Sequence, residues 1–376
     1  MEDLSLSEYL NSQLDRLCRI VGIDPKSASL LLADLLGPAG SRPLSLPPAW
    51  SSGIADDHTP VEFSVAFNHN ERPSVRILGE SIDTAPSAAT NLVAARKFVE
   101  TQAARFGLSM SRFDRVRDLF AADEPFGGFG LWHSLVFQRG RQPEFKIYLN
   151  PELKGVERAP SLVAEALERL GLSGSYRVAL ENGVRPGELG RADRLTFFAI
   201  DLHDAPHARV KLYLSHHDAH ARDVVRAASV VDGVDAEEFG EFCVAAGGET
   251  GIFAGRPLVS SYTFLGEMDR PAGYSVYVPI RSYVNDDEEA RDRVAALLDR
   301  YGFDSAELDR IIAALVTRPL HEGVGLIAHV SLRLGLPRPG VTVYLSAEAY
   351  QISPPRPRRR PTAMVHAQPP AGRCAA

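Results

Sequence analysis

FKIYLNP at 145–151, VKLYLSH at 210–216, SVYVPI at 275–280 and TVYLSAE at 342–348 are four versions of one strand. Each alternates its residue classes with period two, the pattern of a strand whose two faces meet different surroundings. Their tyrosines, Tyr148, Tyr213, Tyr277 and Tyr344, follow one another at intervals of 65, 64 and 67 residues. Self-similarity at a nearly fixed period marks a chain built from repeated units. In SVRILG at 74–79 Leu78 stands in the tyrosine's place, and Arg76 matches Lys146 and Lys211. The chain therefore reads as five units.

Each of these strands has a partner just before it, across a turn rich in glycine, proline or charge. The pairs are VEFSVAFNH (61–69) with SVRILG, LWHSLVFQR (131–139) with EFKIYLNP, and RLTFFAIDL (194–202) with ARVKLYLS. LVSSYTFL (258–265) with GYSVYVPI and GLIAHVSLRLG (325–335) with VTVYLS complete the set. Between hairpins the apolar residues recur at i, i+3, i+4 and i+7, the helical period. Two helices fit before each hairpin: 5–21 and 28–37, 91–107 and 110–120, 161–171 and a weaker segment at 176–189, 220–231 and 236–246, 287–302 and 306–316. Asp286 and Asp304 occupy positions for N-caps or first-turn acids.

Composition agrees with a globular chain: 376 residues, 45% hydrophobic and 24% charged. Length alone allows one large domain or several, and the repeat favours one spanning 1–352. The net charge of −7 argues against a dedicated nucleic-acid binder. Leu30 to Leu36 is interrupted by Asp34 and far too short for a membrane span. The acidic start Met1-Glu2-Asp3 does not read as a signal peptide, and three cysteines without a CxxC pair suit a reducing compartment. These features point to the cytoplasm, in a monomer or a homodimer.

Ten antiparallel strands with helices between the pairs predict an α+β fold: a closed ten-stranded barrel with an outer ring of helices. Closure removes exposed sheet edges, and ten strands are wide enough to leave a lumen. Arg76, Lys146, Tyr148, Arg209, Lys211, Tyr213, Tyr277 and Tyr344 share one parity on the second strands, while Val75, Ile147 and Leu212 take the other. The polar set is expected to point inward.

Cations crowded into a barrel repel one another unless an anion sits among them, and a diphosphate fits. Tyrosine π-faces one step along attract and shelter a cation. An anion site beside a cation shield suits ionisation of an allylic diphosphate. Glu62, in phase with Ser64 and Ala66, could accept a hydrogen bond from an indole N–H and raise the ring's electron density. His133 could take the proton lost on rearomatisation. Plainer roles stand beside these: structural tyrosines, a Glu62–Arg76 salt bridge, and a hydrogen-bonded barrel histidine.

The ordered set of VEFSVAF, VRIL, FKIYLNP, VKLYLS, YSVYVP and TVYLSAEAY resembles the aromatic prenyltransferases of the dimethylallyltryptophan synthase type, with the ααββ barrel called the ABBA fold. The resemblance runs from about Leu4 to Tyr350 and is nearest the bacterial indole branch. It implies transfer of a dimethylallyl group from dimethylallyl diphosphate to an aromatic carbon of L-tryptophan or a related indole, with no obligatory metal or other cofactor. By position it assigns Glu62 to the indole, Arg76, Lys146, Arg209 and Lys211 to the diphosphate, and Tyr148, Tyr213, Tyr277 and Tyr344 to the shield. His133 falls near the place of a basic lysine in many fungal members, a departure that leaves the base open. Ser275 replaces a longer polar ligand of some relatives. Asn150, in phase with Tyr148, is a possible contact for the amino-acid part of the acceptor.

Several other features read as structure. The acidic run NDDEEARDR from Asn285 opens a helix, although it looks like an aspartate-rich Mg²⁺ motif. His216, His217, Asp218 and His220 cluster at a helix start, and GGFG at 127–130 and GVG at 323–325 lack a phosphate-loop context. The Pro/Arg-rich tail from Ser353 to 376 is expected to be disordered. Two other functions remain open: the same chemistry on tyrosine, a phenol or a cyclic dipeptide, and a barrel that binds its ligands without reaction.

Overall fold

The computed structural model describes residues 3–357, apart from 249, 250, 267 and 337. Five helix pairs alternate with five hairpins. The pairs are α1 (Leu6–Ile20) and α2 (Pro25–Leu36), α3 (Ala88–Phe106) and α4 (Ser111–Asp114), α5 (Ala159–Arg169) and α6 (Ser173–Gly183), α7 (Ala221–Ala228) and α8 (Glu237–Gly247), and α9 (Asp287–Arg300) and α10 (Ala306–Leu315). The strands are β1 (Val61–Asn68), β2 (Ser74–Gly79), β3 (Leu131–Phe137), β4 (Glu144–Leu149), β5 (Asp193–Asp201), β6 (Val210–His216), β7 (Leu258–Phe264), β8 (Gly273–Val278), β9 (Ile327–Gly335) and β10 (Gly340–Ser346). All neighbours are antiparallel, and β1 pairs with both β2 and β10, so the sheet closes into a ten-stranded barrel.

The core lies between the barrel's outer face and the helices. Val75, Ile147, Leu212, Val276 and Val343 are fully buried there, with Leu10, Leu14, Leu167 and Leu298 from the helices. Each such side chain contributes roughly 1.5–3 kcal/mol when removed from water. Alternation along the strands makes this possible: one face feeds the helix layer and leaves the other for the lumen.

Local signals set the helix starts. Ser5 and Ser87 form capping boxes at α1 and α3, and Asp286 caps α9 by accepting from the Glu289 amide. The segment 110–120 departs from the expected long helix. α4 ends at Asp114, and Val116 and Leu119 donate three residues back, to Phe113 and Val116. These tighter turns still bury Phe113, Val116 and Phe120, so the apolar pattern is met without a regular helix.

The start of the tail is pinned as well. Val324 donates to the Ser353 carbonyl, and the Arg356 amide donates to the Asn285 carbonyl. The remainder of the tail, from 358, lies outside the described residues. No helix among the described residues is long and apolar enough to cross a membrane.

Candidate active site

The barrel encloses a cavity of ≈ 600 Å³, and the predicted parity places Arg76, Lys146, Tyr148, Arg209, Tyr213, Tyr277 and Tyr344 on its wall with Glu62. Lys211 sits against the same wall. Its Nζ donates to Ser275 Oγ at 3.4 Å and Tyr277 Oη at 3.3 Å.

One region of the cavity is cationic. Arg76, Lys146, Arg209 and Lys211 are joined there by Arg333 of β9, which donates to Asn68 Oδ1 and the Arg338 carbonyl. Asp201 of β5 is the carboxylate set among them, 3.2 Å from Lys146 Nζ and 2.6 Å from Arg209 Nε. Burial, together with Arg209, outweighs Asp201 and brings Lys146 down to about 7. Burial and the neighbouring Arg76 and Arg209 bring Arg333 down to about 9. The buried Arg76 Nε has no hydrogen-bond acceptor among the described residues. Excess buried positive charge and an unused donor suit a multivalent anion.

A belt of tyrosines adjoins the cations. Ring centroids run 5.7 Å from Tyr148 to Tyr213, 5.7 Å from Tyr213 to Tyr277 and 5.8 Å from Tyr277 to Tyr344. Lys211 Nζ lies 5.2 Å from the Tyr213 centroid, within cation–π range. The spacing of about 65 residues in sequence thus becomes adjacency around the barrel, because each repeat advances the wall by one hairpin. Phe197 meets both Tyr148 and Tyr213 edge-on.

Aromatic and acidic groups make up another part of the wall. Trp132 stacks on Phe129 with centroids 4.1 Å apart, and Phe197 lies 5.6 Å from Trp132. Glu62 does not pair with Arg76; the His329 imidazole lies 4.0 Å from its carboxylate, and Arg281 is the cation acting on it. Burial raises Glu62 to about 8, against the opposing pull of Arg281. His329 is held neutral by burial and by Arg281 and Arg256. Arg281 donates to His329 and pairs with Asp56, which also holds Arg256. This wall can receive a planar aromatic ring and offer a carboxylate to its N–H.

Two expected site residues face elsewhere. His133 has the opposite parity from Trp132 and Ser134, so it points out of the barrel against Phe98 of α3, with centroids 4.6 Å apart. Burial lowers it to about 3, and it cannot be the base for a reaction in the lumen. Asn150 follows the last residue of β4 and turns away from the cavity: its Nδ2 donates to the Phe126 and Phe129 carbonyls and its Oδ1 accepts from the Glu152 amide. It therefore holds the glycine-rich loop that carries Phe129 onto Trp132. Gly127 in that loop has φ +84°, a conformation side chains rarely adopt, and a Cβ there would lie 3.3 Å from Asn150 Nδ2.

The acidic run is structural: Asp287 accepts from the Gly325 and Leu326 amides and pairs with Arg318, tying GVG to α9. His216 bonds Asp193 and Ser260, and His220 bonds the Gly251 carbonyl. Asp201, Phe197, Trp132, His329 and Arg333 escaped the sequence reading. All lie on first strands of hairpins, and the same parity count applied there would have found them.

Residues 28–243 match the family described as tryptophan dimethylallyltransferase. The 6-dimethylallyltryptophan synthase of Micromonospora olivasterospora, solved with DMASPP and Trp, is 68% identical, with TM-score 0.91 over 94% of this chain and 100% of that one. The prenyltransferase PriB, in a ternary complex with L-tryptophan and dimethylallyl thiolodiphosphate, is 40% identical, with TM-score 0.87 over 94% and 99%. The 5-dimethylallyltryptophan synthase of Streptomyces coelicolor is 35% identical, with TM-score 0.86 over 96% and 100%. A barrel with cations, a tyrosine belt and a buried glutamate around one cavity, matched across nearly its whole length by these enzymes, belongs to the tryptophan dimethylallyltransferase family.

Proposed function

We propose that this chain transfers the dimethylallyl group of dimethylallyl diphosphate to the indole of L-tryptophan, at C6, by Friedel–Crafts-type substitution. The observation that carries the reading is one cavity lined together by Arg76, Lys146, Arg209, Arg333, the tyrosine belt and Glu62, with Lys211 bonded to Tyr277 of that belt. Ring position C6 is supported by the 68% identity to the synthase named for it.

In this reading Arg76, Lys146, Arg209, Lys211 and Arg333 take the diphosphate and stabilise its departure, which is electrostatic preorganisation. Tyr148, Tyr213, Tyr277 and Tyr344 shelter the allyl cation and keep water from it. Glu62, ionised, accepts the indole N–H, while Trp132, Phe129 and Phe197 fix the ring for in-line attack. His329, neutral and accepting from Arg281 beside Glu62, fixes that corner of the acceptor wall. The side-chain cations supply the charge that a metal would otherwise bring, so turnover is expected without Mg²⁺. Among the described residues the thiols Cys18 and Cys243 are free and buried, which suits work in the cytoplasm.

An acceptor panel tests the reading: L-tryptophan, L-tyrosine, a simple phenol and a tryptophan-containing cyclic dipeptide, each with dimethylallyl diphosphate. L-Tryptophan should give the highest kcat/KM. A higher value for another acceptor would move the substrate, and diphosphate binding without pyrophosphate release for any acceptor would contradict catalysis.

A further inference from the structure

The cationic wall holds a buried carboxylate, ion-paired with two of its cations, that the transfer mechanism does not use. Asp201 ends β5 with its side chain turned inward, opposite Lys146 in the β4–β5 register. It is 3% exposed. Its Oδ2 accepts from the Arg209 amide at 3.0 Å and from Arg209 Nε at 2.6 Å, and its Oδ1 lies 3.2 Å from Lys146 Nζ. We infer that Asp201 is a positioning residue for the diphosphate: an internal counter-ion that keeps Lys146 charged and both Lys146 and Arg209 aimed while the barrel is empty, and competes for both with the product diphosphate. The inference rests on the assignment of this wall to the diphosphate.

The charges around Lys146 show why a counter-ion is needed. Arg76 reaches it from β2, Arg209 from just before β6, Lys211 from β6, Tyr148 from its own strand and Tyr277 from β8, while Asp201 is the carboxylate ion-paired with it among the described residues. Glu144 acts on Arg209 and His203, and His203 stands 3.9 Å from Asp201. Arginine keeps its proton in proteins, so crowding among these cations is relieved at a lysine. Burial has already brought Lys146 to about 7 with Asp201 in place. Without the carboxylate it would be neutral near pH 7, and the incoming diphosphate would have to restore its proton. After transfer the balance reverses. A cluster matched only by diphosphate would retain the product, whereas Asp201 can reclaim Lys146 and Arg209 as pyrophosphate leaves.

Inorganic pyrophosphate, titrated by calorimetry between pH 6 and 8.5, is a probe that needs neither tryptophan nor turnover. In the wild-type protein its affinity, corrected for pyrophosphate's own ionisation in this range, should be level below about pH 7 and fall about tenfold per unit above, as Lys146 loses its proton. In Asp201→Asn the fall should begin about one unit lower. Lys146→Arg should abolish the fall, which separates Lys146 from Tyr277, a group that titrates in the same range. Adding Asp201→Asn to Lys146→Arg should then tighten pyrophosphate about tenfold at every pH, since only the competition remains. A loss of packing alone would weaken binding at every pH.

The same alkaline fall in wild type and Asp201→Asn, or no tightening in the double variant, would overturn the inference. If the asparagine variants fail to fold, Asp201→Glu, which keeps the charge, should leave the fall near pH 7. A fall moved down by a unit in that variant would overturn the counter-ion role. A wild-type protein that binds no pyrophosphate would overturn the diphosphate site and the inference with it, whereas absent transfer activity would leave both readable.

Discussion

Lys211 Nζ and Tyr277 Oη lie 3.3 Å apart, so one anchor of the cationic wall is bonded directly to one ring of the tyrosine belt. Burial alone would raise the Tyr277 hydroxyl, yet the charge of Lys211 and hydrogen bonds with Ser261 and Tyr213 bring it to about 7. Burial in turn lowers Lys211. In the proposed reaction, leaving group and carbocation would thus meet adjoining side chains.

Removing either lysine should harm chemistry much more than folding. For Lys146→Ala and Lys211→Ala we expect kcat to fall about 10²–10³-fold, the scale of one preorganised charge. Thermal unfolding should move much less than kcat, because a crowded cation is lost and Asp201 keeps its hydrogen bonds from the Arg209 amide and Nε. Near-normal kcat in both variants would contradict the role of these side chains at the diphosphate.

The tyrosine belt should act through its rings. Tyr213→Phe keeps the ring and loses a 3.4 Å contact with Tyr148, so kcat should stay within about threefold. Tyr213→Ala should open the shield to water and raise the ratio of dimethylallyl alcohol to prenylated tryptophan. Product analysis by chromatography reads that ratio, and an unchanged one would remove Tyr213 from the shield.

Glu62 should leave a signature in pH. Its folded pKa is raised to about 8, and the carboxylate proposed to accept the indole N–H becomes the main form as pH rises through that value. At saturating dimethylallyl diphosphate, kcat/KM for L-tryptophan should therefore climb as pH rises through about 8 and then level off. Glu62→Gln should lower kcat/KM by about 10²-fold or more and flatten the limb, with the circular dichroism spectrum retained. A persisting limb in the variant would assign the titration to another group.

His133 separates position along the strand from position across the wall. It neighbours Trp132, which lines the cavity, but faces the helix layer. His133→Leu should keep kcat within about twofold while changing thermal stability, as expected of a side chain packed on Phe98. A large loss of kcat with normal folding would return it to the site.

The fold was legible because its signals are periodic. Tyr148, Tyr213, Tyr277 and Tyr344 recur with the repeat, and alternation then assigns Ile147 and Leu212 to the helix layer and Lys146 and Lys211 to the lumen side. The same alternation argues against His133, an odd-numbered residue between Trp132 and Ser134, but residue chemistry had outweighed parity there. Asn150 lies just beyond β4, where strand phase no longer governs direction, and the loop carbonyls of Phe126 and Phe129 claimed it. Asp201 and Arg333 carry no motif of their own. Their roles arise only when β5 is registered against β4 and β6, and β9 against β8, which brings charges distant in sequence into one cluster.

The central claim is best tested by incubating the purified protein with dimethylallyl diphosphate and L-tryptophan, with and without EDTA. Mass spectrometry and proton NMR of the isolated product then give the answer. The account expects tryptophan heavier by one dimethylallyl group in both samples, with the new bond at C6. No prenylated tryptophan in either sample would contradict it.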